Sequence, residues 1–183
     1  SANGSYLAIV SKDEHLYLFS RENSTPLWSY DAGSNLDTVA ISADGEYIVI
    51  GGKNRKVSLF ERSDDEPLWT TVALDHDIQS IAISENGTYI AAGVRLSTIG
   101  RVYLFNNTGD GEWEWRSDVN GHIYAIDISA DGRYIAAGSA SGNTGNKVYF
   151  YSRTSDNPVW EYLTGSKVSS LSLSADGGTL AVA

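Results

Sequence analysis

The sequence predicts an all-β fold, a β-propeller of four-stranded antiparallel blades, from three observations. One phrase recurs along the chain: it reads ISADGEYIVIG at 41–51, ISENGTYIAAG at 83–93 and ISADGRYIAAG at 128–138, with shorter copies at both ends. The serines that open the copies lie 41 to 45 residues apart, which is the repeat length of a four-stranded propeller blade. No segment keeps an apolar period of about 3.6 residues, so helices are not expected.

One repeat, residues 36–77, shows how the residues specify four strands, which we name A to D. LDTVAIS alternates apolar and polar residues as strand A, and an Ala-Asp-Gly turn leads into strand B, EYIVIGG. VSLFE, strand C, is rich in residues that suit a pleated, half-buried surface. Pro67 precedes LWTTV, which we place outermost as strand D, because a missing backbone N–H does least harm on a sheet edge.

With this pattern the chain contains strands B-C-D, three complete A-B-C-D units and a final A-B pair, 17 strands in all. Strand A near Val168 could join the first three strands and close a four-blade ring, but the last strand would then duplicate the strand at 6–10. We therefore favour a segment of a larger ring of seven or eight blades, with two chains completing an eight-blade ring as a third arrangement. The expected units are a partial blade at 1–35, blades at 36–77, 78–122 and 123–167, and a partial blade at 168–183.

The composition argues against several classes of protein. The 183 residues are 42% hydrophobic, enough for one domain with a core, and the net charge of −10 argues against nucleic-acid binding, which needs a basic surface. No apolar run approaches the roughly 18 residues of a membrane span. Without Cys there is no disulfide, thiol nucleophile or thiolate metal site. Because the chain also lacks Met, we expect a processed chain or a segment of a longer protein.

Two repeat families are similar to parts of each unit. GHIYAIDISADGRYIAAGS, from Gly121, resembles the WD repeat in its strands A and B, although Leu-Phe or Phe-Tyr replaces the Trp-Asp pair of that family in strand C. LYLFSRENSTPLWSY and VYFYSRTSDNPVWEY resemble the PQQ-like (quinoprotein-type) repeat, with its aromatic strand, polar turn and outer Trp. The resemblance covers essentially the whole chain and implies a propeller, a fold that serves mostly as a scaffold.

Tryptophan recurs once per blade on the outer strand D. The spacings between the four residues are 41, 46 and 45, so we expect each indole to pack between neighbouring blades. A fifth residue, Trp113, is out of this register and is expected to be exposed or packed at an edge. The four periodic residues are Trp28, Trp69, Trp115 and Trp160.

Strand alternation predicts two rims of unequal charge. Loops B–C and D–A share one rim, which we call the first rim, and loops A–B and C–D share the second rim. The first rim holds eight basic and six acidic residues, a net +2, whereas the second holds four basic and thirteen acidic residues, a net −9. Such asymmetry would orient the molecule towards a charged partner, although acidic residues also favour solvated turns in general.

The first rim is also where the loops vary most. Its B–C loops lengthen from KNRK at 53–56 to VRLSTIGR at 94–101 and SASGNTGNK at 139–147. Variable loops on a rigid frame are where recognition usually occurs. The predicted partner-binding residues are Lys53, Arg55, Arg95, Arg101, His76 and His122.

Four Asn-X-Ser/Thr sequons lie on the second rim, at Asn3, Asn23, Asn86 and Asn106. They suggest that this rim is glycosylated and faces solvent in a secreted or cell-surface protein. The competing interpretation is that turns are rich in Asn, Ser and Thr for reasons of backbone geometry.

Catalytic chemistry is not indicated by any motif. His76 and His122 are expected at corresponding positions of successive blades, and Asp75 and Asp77 flank His76, which would make at most a weak metal site. The SADG turns lack the Asp ladder of an EF-hand, and the glycines form no phosphate loop. We therefore predict no catalytic, cofactor-binding or metal-binding residues.

Two classes of function follow. The first, which we favour, is a non-catalytic propeller scaffold that mediates protein–protein or surface interactions, with partners that include further copies of the chain or the missing blades of its ring. The second, implied by the PQQ-like resemblance, is part of a PQQ-dependent dehydrogenase, which would hold a planar quinone cofactor and calcium in its central funnel. Neither nucleic-acid binding nor membrane insertion of this segment is expected.

Overall fold

The computed structural model of the chain describes residues 1–140 and 145–183. Residues 141–144, which belong to the variable loop expected at 139–147, lie outside the described residues. Throughout the described ranges every regular element is a β-strand, so the structure contains no helix there that could span a membrane.

The 17 strands of the described chain follow the predicted order, and the all-β prediction is confirmed. Their bounds are β1 Tyr6–Val10, β2 His15–Ser20, β3 Trp28–Asp31, β4 Leu36–Ile41, β5 Tyr47–Gly52, β6 Val57–Glu61, β7 Pro67–Thr70, β8 Ile78–Ile83, β9 Tyr89–Arg95, β10 Ile99–Asn106, β11 Trp113–Asn120, β12 His122–Ile128, β13 Tyr134–Ala140, β14 Lys147–Ser152, β15 Trp160–Leu163, β16 Leu171–Leu173 and β17 Leu180–Val182.

The strands form five antiparallel sheets, each built from consecutive strands. Three are complete four-stranded blades, β4–β7, β8–β11 and β12–β15; the first sheet contains β1–β3 and the last contains β16 and β17. Strand β16 pairs with β17, and β1 forms the edge of the first sheet, so this is not the four-blade ring in which the last strand A completes the first blade. We call the sheets blades 1 to 5 in chain order.

The apolar core lies between the blades. Leu16 and Leu18 of blade 1, for example, form one buried cluster with Ile48, Ile50 and Phe60 of blade 2. Similar clusters join blades 2 and 3, blades 3 and 4, and, with fewer residues, blades 4 and 5. Because successive residues of a strand point to opposite faces, each strand of a middle blade supplies side chains to both of its neighbours.

The repeated phrase is explained by the A–B turn. In blade 2 the buried Ser42 hydroxyl donates to Asp44 Oδ1 at 2.6 Å and accepts from the Tyr47 backbone N–H at 3.0 Å. Asp44 Oδ1 also accepts from the Glu46 N–H at 2.9 Å, which completes an Asx turn. The serine hydroxyl and the Oδ1 atom of the Asp or Asn in this phrase therefore hold the turn.

A belt of backbone hydrogen bonds links these turns around the second rim. The N–H of Ala2 donates to the carbonyl of Ala43, Ala43 to Glu85, Glu85 to Ala130 and Ala130 to Ala175, over 2.8 to 3.0 Å. Each blade is thus joined to the next by one main-chain bond at the same place in the repeat.

The periodic tryptophans join the blades at their outer edge. The indole N–H of Trp28 donates to the backbone carbonyl of Arg62 in blade 2 at 2.7 Å, and the ring lies against Phe60 at a centroid distance of 5.9 Å. The same pair of contacts recurs for two further tryptophans, which confirms the expected inter-blade packing. They are Trp69, bonded to the Asn107 carbonyl beside Phe105, and Trp115, bonded to the Arg153 carbonyl beside Tyr151.

The fourth periodic residue, Trp160, differs from the others. It stacks on Phe150 of its own blade at 5.0 Å and is 43% exposed, because blade 5 has no strand C to receive it. The out-of-register Trp113 is 38% exposed, and its ring edge contacts Tyr103 at 5.5 Å, as expected of an edge-packed residue.

The A–B turns of blades 2 to 5 each place their glycine against a tyrosine ring of the preceding blade. Gly87 has φ +72°, and a Cβ at this position would overlap the ring of Tyr47 in blade 2. Gly45, Gly132 and Gly177 have the same relation to Tyr6, Tyr89 and Tyr134. Glycine is required here twice over, by the left-handed backbone and by the close approach of the ring.

We predict that Gly87→Ala lowers the free energy of unfolding by about 2–4 kcal/mol, because it combines backbone strain with overpacking against Tyr47. Gly33→Ala is the matched control: Gly33 also has a positive φ, +63°, but no atom lies within 4 Å of its Cβ position, so about 1 kcal/mol is expected. Urea denaturation followed by circular dichroism measures both. Equal losses would show that the tyrosine contact contributes nothing.

Candidate functional site

The strand topology brings the predicted partner-binding residues to one end of the blades. Lys53 and Arg55 lie in the β5–β6 turn, Arg95 ends β9 and Arg101 lies near the start of β10. His76 lies in the β7–β8 connection and His122 begins β12. All six therefore belong to the first rim, but their environments differ.

Lys53, Arg55 and Arg95 are exposed cations on anchored loops. Arg55 has a left-handed backbone, φ 61°, its N–H donates to the Gly52 carbonyl at 3.2 Å, and its own carbonyl accepts from the Leu74 N–H at 2.7 Å. The turn is thereby tied to the neighbouring D–A connection, while the side chain stays in solvent. Beyond Arg95, the Leu96 N–H donates to the Ile99 carbonyl at 3.0 Å and closes the next loop.

Arg101 differs from these three because it is buried, with 9% of its surface exposed. Its guanidinium forms ion pairs with Asp75 and Asp118, including a bond from Nη2 to Asp118 Oδ2 of 2.9 Å. The Tyr103 hydroxyl donates to Asp75 Oδ2 at 2.8 Å and completes the cluster. The charge of Arg101 is compensated within the chain, and the residue holds the β7–β8 connection to the β10–β11 hairpin.

The cluster perturbs the titration of its members. The Arg101 guanidinium, which donates to both carboxylate oxygens, holds the pKa of Asp118 below its usual range. Burial raises the pKa of Tyr103, so this phenol stays a hydrogen-bond donor at neutral pH. The carboxylates of Asp75 and Asp118 are about half exposed and remain accessible on the rim.

The two histidines are not at equivalent positions, which corrects the expectation from the sequence. His122 immediately precedes Ile123, which packs over Gly93, whereas His76 lies two residues before Ile78, which packs in the same way over Gly51. His76 is about half exposed, and its Nδ1 accepts from the Asp77 N–H at 2.9 Å.

His122 is partly buried and faces a second ring. Its Nδ1 is buried and, among the described residues, has no hydrogen-bond partner. The His122 ring meets the edge of Tyr124 at 6.4 Å, and Lys167 Nζ lies 3.7 Å from the centre of the Tyr124 ring. Sequence reasoning did not connect these residues, because Lys167 belongs to the next blade connection and only the fold brings it to Tyr124.

A cleft of about 290 Å³ lies between the outer strands of blades 3 and 4 and reaches the first rim. Ile99, Asp118 and Asn120 line one wall, and Tyr149 and Glu161 line the other. Glu161 pairs with Lys147 at 2.5 Å across the β14–β15 hairpin. Within the described chain, no group of three or more His, Asp or Glu side chains is arranged to hold a metal ion.

We predict that Asp118→Asn destabilises the protein by up to about 1 kcal/mol near pH 7, a modest loss because the carboxylate is half exposed. Since the folded-state pKa is lowered, the stabilisation is present above the unfolded value of about 3.9 and is lost as the pH falls through the folded pKa. Urea titrations between pH 7 and pH 2.5 should show wild type and variant converging in acid. The control Asp110→Asn removes an equal charge from an exposed loop and should leave the free energy of unfolding at pH 7 nearly unchanged.

Comparison with known proteins establishes the fold and the family. No curated protein matches the chain. Among solved structures, the β-propeller domain of Cps50 (Swd1) from Myceliophteria thermophila is 17% identical, with a TM-score of 0.80 over all of this chain and 60% of that domain. The chain thus spans about 60% of that domain, and the likeness shows a β-propeller fold. A model described as "Family of unknown function (DUF5711)" matches residues 3–163, and the chain therefore belongs to this family.

Proposed function

We propose that the chain is a non-catalytic β-propeller module that binds a protein partner through its first rim. The observation that carries the proposal is the set of exposed cations Lys53, Arg55 and Arg95 on hydrogen-bonded loops at that rim. In contrast to Arg101, they are presented to solvent, and the opposite rim is strongly acidic. An acidic surface of a partner would be steered towards this side of the molecule.

The rigidity of the frame supports a binding role. The β5–β6 and β9–β10 loops that carry these cations are short, and the sheets behind them are held to one another by buried apolar contacts. A partner that docks on such a surface loses little affinity to the ordering of the loops. The cleft between Asp118 and Glu161 offers a position for a partner side chain at the same rim.

We also propose that the protein is secreted or displayed on a cell surface, with glycans on its second rim. Asn3, Asn23 and Asn86 are exposed in the A–B and C–D turns, and Asn106 is partly exposed at the end of β10. In each, the side-chain oxygen accepts from the backbone N–H two residues later, so the sequons lie in ordered turns. Asn106 differs because its Nδ2 also donates to Glu114 at 3.2 Å.

The rim proposal is tested by site-specific photo-crosslinking in the native host. A photoreactive residue at Ser97, exposed on the first rim, should give an adduct of discrete mass, whereas the same residue at Ser63, exposed on the second rim, should not. Reversal of the three cations (Lys53→Glu, Arg55→Glu and Arg95→Glu) should weaken the Ser97 adduct about tenfold or more at low salt. Adducts that are equal on both rims and insensitive to the reversal would contradict the proposal.

The glycan proposal is tested by intact-mass and glycopeptide-mass measurement of material secreted by a eukaryotic host. Hexose-containing increments should appear on Asn23 before Asn106, since the Asn106 amide nitrogen is engaged by Glu114. Glu114→Gln should leave the Asn23 occupancy unchanged and serves as the control for altered folding. A mass equal to that of the unmodified chain would contradict the glycan proposal.

A further inference from the structure

The outer strand of blade 3 differs from the outer strands of the other blades. In the described chain β11 contains eight residues, whereas β3, β7 and β15 contain four each. All four are the last strand of their sheet, so one edge of each is not paired with another strand. A long edge strand presents a row of backbone N–H and C=O groups that an extended peptide can bind, and proteins commonly keep edge strands short to avoid this.

Blade 3 also lacks the proline that precedes the other outer tryptophans. The chain contains three prolines, and each lies two residues before the periodic tryptophan of its blade. Blade 3 has Trp113 at this place, and Trp113 lies opposite the strand C aromatic Phe105 just as Pro67 lies opposite the strand C aromatic of blade 2. Proline on an edge hinders strand addition because it has no backbone N–H, so its replacement leaves the edge of blade 3 open. The three prolines are Pro26, Pro67 and Pro158.

A cavity of about 290 Å³ lies on the side of β11 that faces blade 2. Its lining includes Thr70 and Val72, at and after the end of β7, and Asp110, Glu112 and Trp113 of blade 3. The Val72 and Trp113 side chains are exposed, and no cation lines the cavity. Among the described residues, neither carboxylate forms an ion pair or accepts a hydrogen bond, so both are available to a ligand. We call this the first cavity.

The cleft between blades 3 and 4 lies on the other side of β11, and we call it the second cavity. Its lining is largely apolar and aromatic near Ile99, Val119 and Tyr149, with Glu161 at its edge. Successive side chains of a strand point to opposite faces. A strand added to β11 would therefore direct alternate side chains towards the first and the second cavity, which is how proteins that bind peptides by strand addition select their sequence.

We propose that blade 3 binds an extended, basic segment of a partner protein, which pairs with β11 as a fifth strand and places a Lys or Arg side chain in the first cavity. There the cation meets the Trp113 ring and the carboxylates of Asp110 and Glu112. An apolar side chain on the other face of the segment occupies the second cavity. Main-chain hydrogen bonds along β11 supply the affinity, and the two cavities supply the preference for sequence.

Charge distinguishes this partner from a second copy of the chain. The net charge of the chain is −10, and β11 itself carries Glu114 and Asp118 against the single cation Arg116, so pairing two copies would bring like charges together. A basic segment is complementary to the first cavity and to the acidic second rim, from which the loop with Asp110 projects. The first-rim cations take no part, so reversing them should leave this binding unchanged and the two proposals fail separately.

An array of synthetic peptides tests the strand addition. The peptides match the eight residues of β11 in length, carry one Lys or Arg and vary at the other positions, and the tightest binder is titrated by fluorescence anisotropy. Trp113→Pro restores the residue that the other blades accept at this place and should weaken binding by about tenfold or more. Pro26→Ala is the control, because it removes a proline beside an outer strand of only four residues and should change nothing. Asp110→Asn/Glu112→Gln should remove the preference for Lys or Arg over Gln in the peptide.

Backbone methylation separates main-chain pairing from side-chain binding. The selected peptide is made with N-methyl groups on alternate residues, in both alternations. One version blocks the amides that face β11 and should lose binding, whereas the other should bind within about twofold of the parent peptide. The amide NMR signals of Trp113–Asn120 should shift on binding, and those of β3 should not. Failure of every peptide to bind saturably, equal binding of the two methylated versions, or a dimer of the chain that Trp113→Pro dissociates would overturn the proposal.

Discussion

The packing of one blade against the next is the constraint on which the rest of the structure depends. A single antiparallel sheet of this kind is apolar on both faces and cannot bury either of them alone. Side chains such as Ile48, Ile50 and Phe60 are fully buried only because blade 1 covers them. Since burial of a large apolar side chain contributes about 1.5–3 kcal/mol, each interface of this size is a major part of the stability of both blades. Loss of one blade would therefore weaken its neighbours.

The packing between blades depends mainly on the repeated phrase and places few constraints on the loops of the first rim. Each residue type of the repeated phrase has a structural role. The serine and Asp hold the A–B turn, the glycine contacts a tyrosine ring, and the apolar residues fill the interface between blades. The loops B–C and D–A carry fewer of these contacts, among them Leu74 and Leu96 at the interface of blades 2 and 3, so their length and charge can vary between blades. Because their side chains are not needed for the packing, Lys53, Arg55 and Arg95 are compatible with a role in recognition.

Sequence alone predicted the strands because their signals are local. Alternating side chains, turn glycines and the repeat length specified all 17 strands, and the spacing of the tryptophans specified the packing of Trp28, Trp69 and Trp115. The site was harder, because its contacts depend on register and on neighbouring loops. Counting residues across the β10–β11 hairpin could have paired Arg101 with Asp118. Asp75 and Lys167, in contrast, reach Arg101 and Tyr124 only through the folded arrangement of the blades.

The histidines, in contrast, carry a signal that is already present in the sequence. His76 lies eight residues before Ser84, whereas His122 lies seven residues before Ser129, and this count matches their one-residue offset in the fold. The connections that precede strand A differ in length, so membership of the same kind of D–A connection makes the two residues look equivalent. The count from the repeated serine places them at different positions on the rim.

The belt of main-chain bonds through Ala2, Ala43, Glu85, Ala130 and Ala175 has an evolutionary consequence. Because these bonds join backbone groups, they place no demand on which side chains occupy the positions, and Ala and Glu serve equally well. A gene segment that encodes one blade can consequently be copied or deleted, and the new neighbours will still connect at this rim without compensating substitutions. A change in blade number would thus keep this connection, whatever residues the loops of the opposite rim carry.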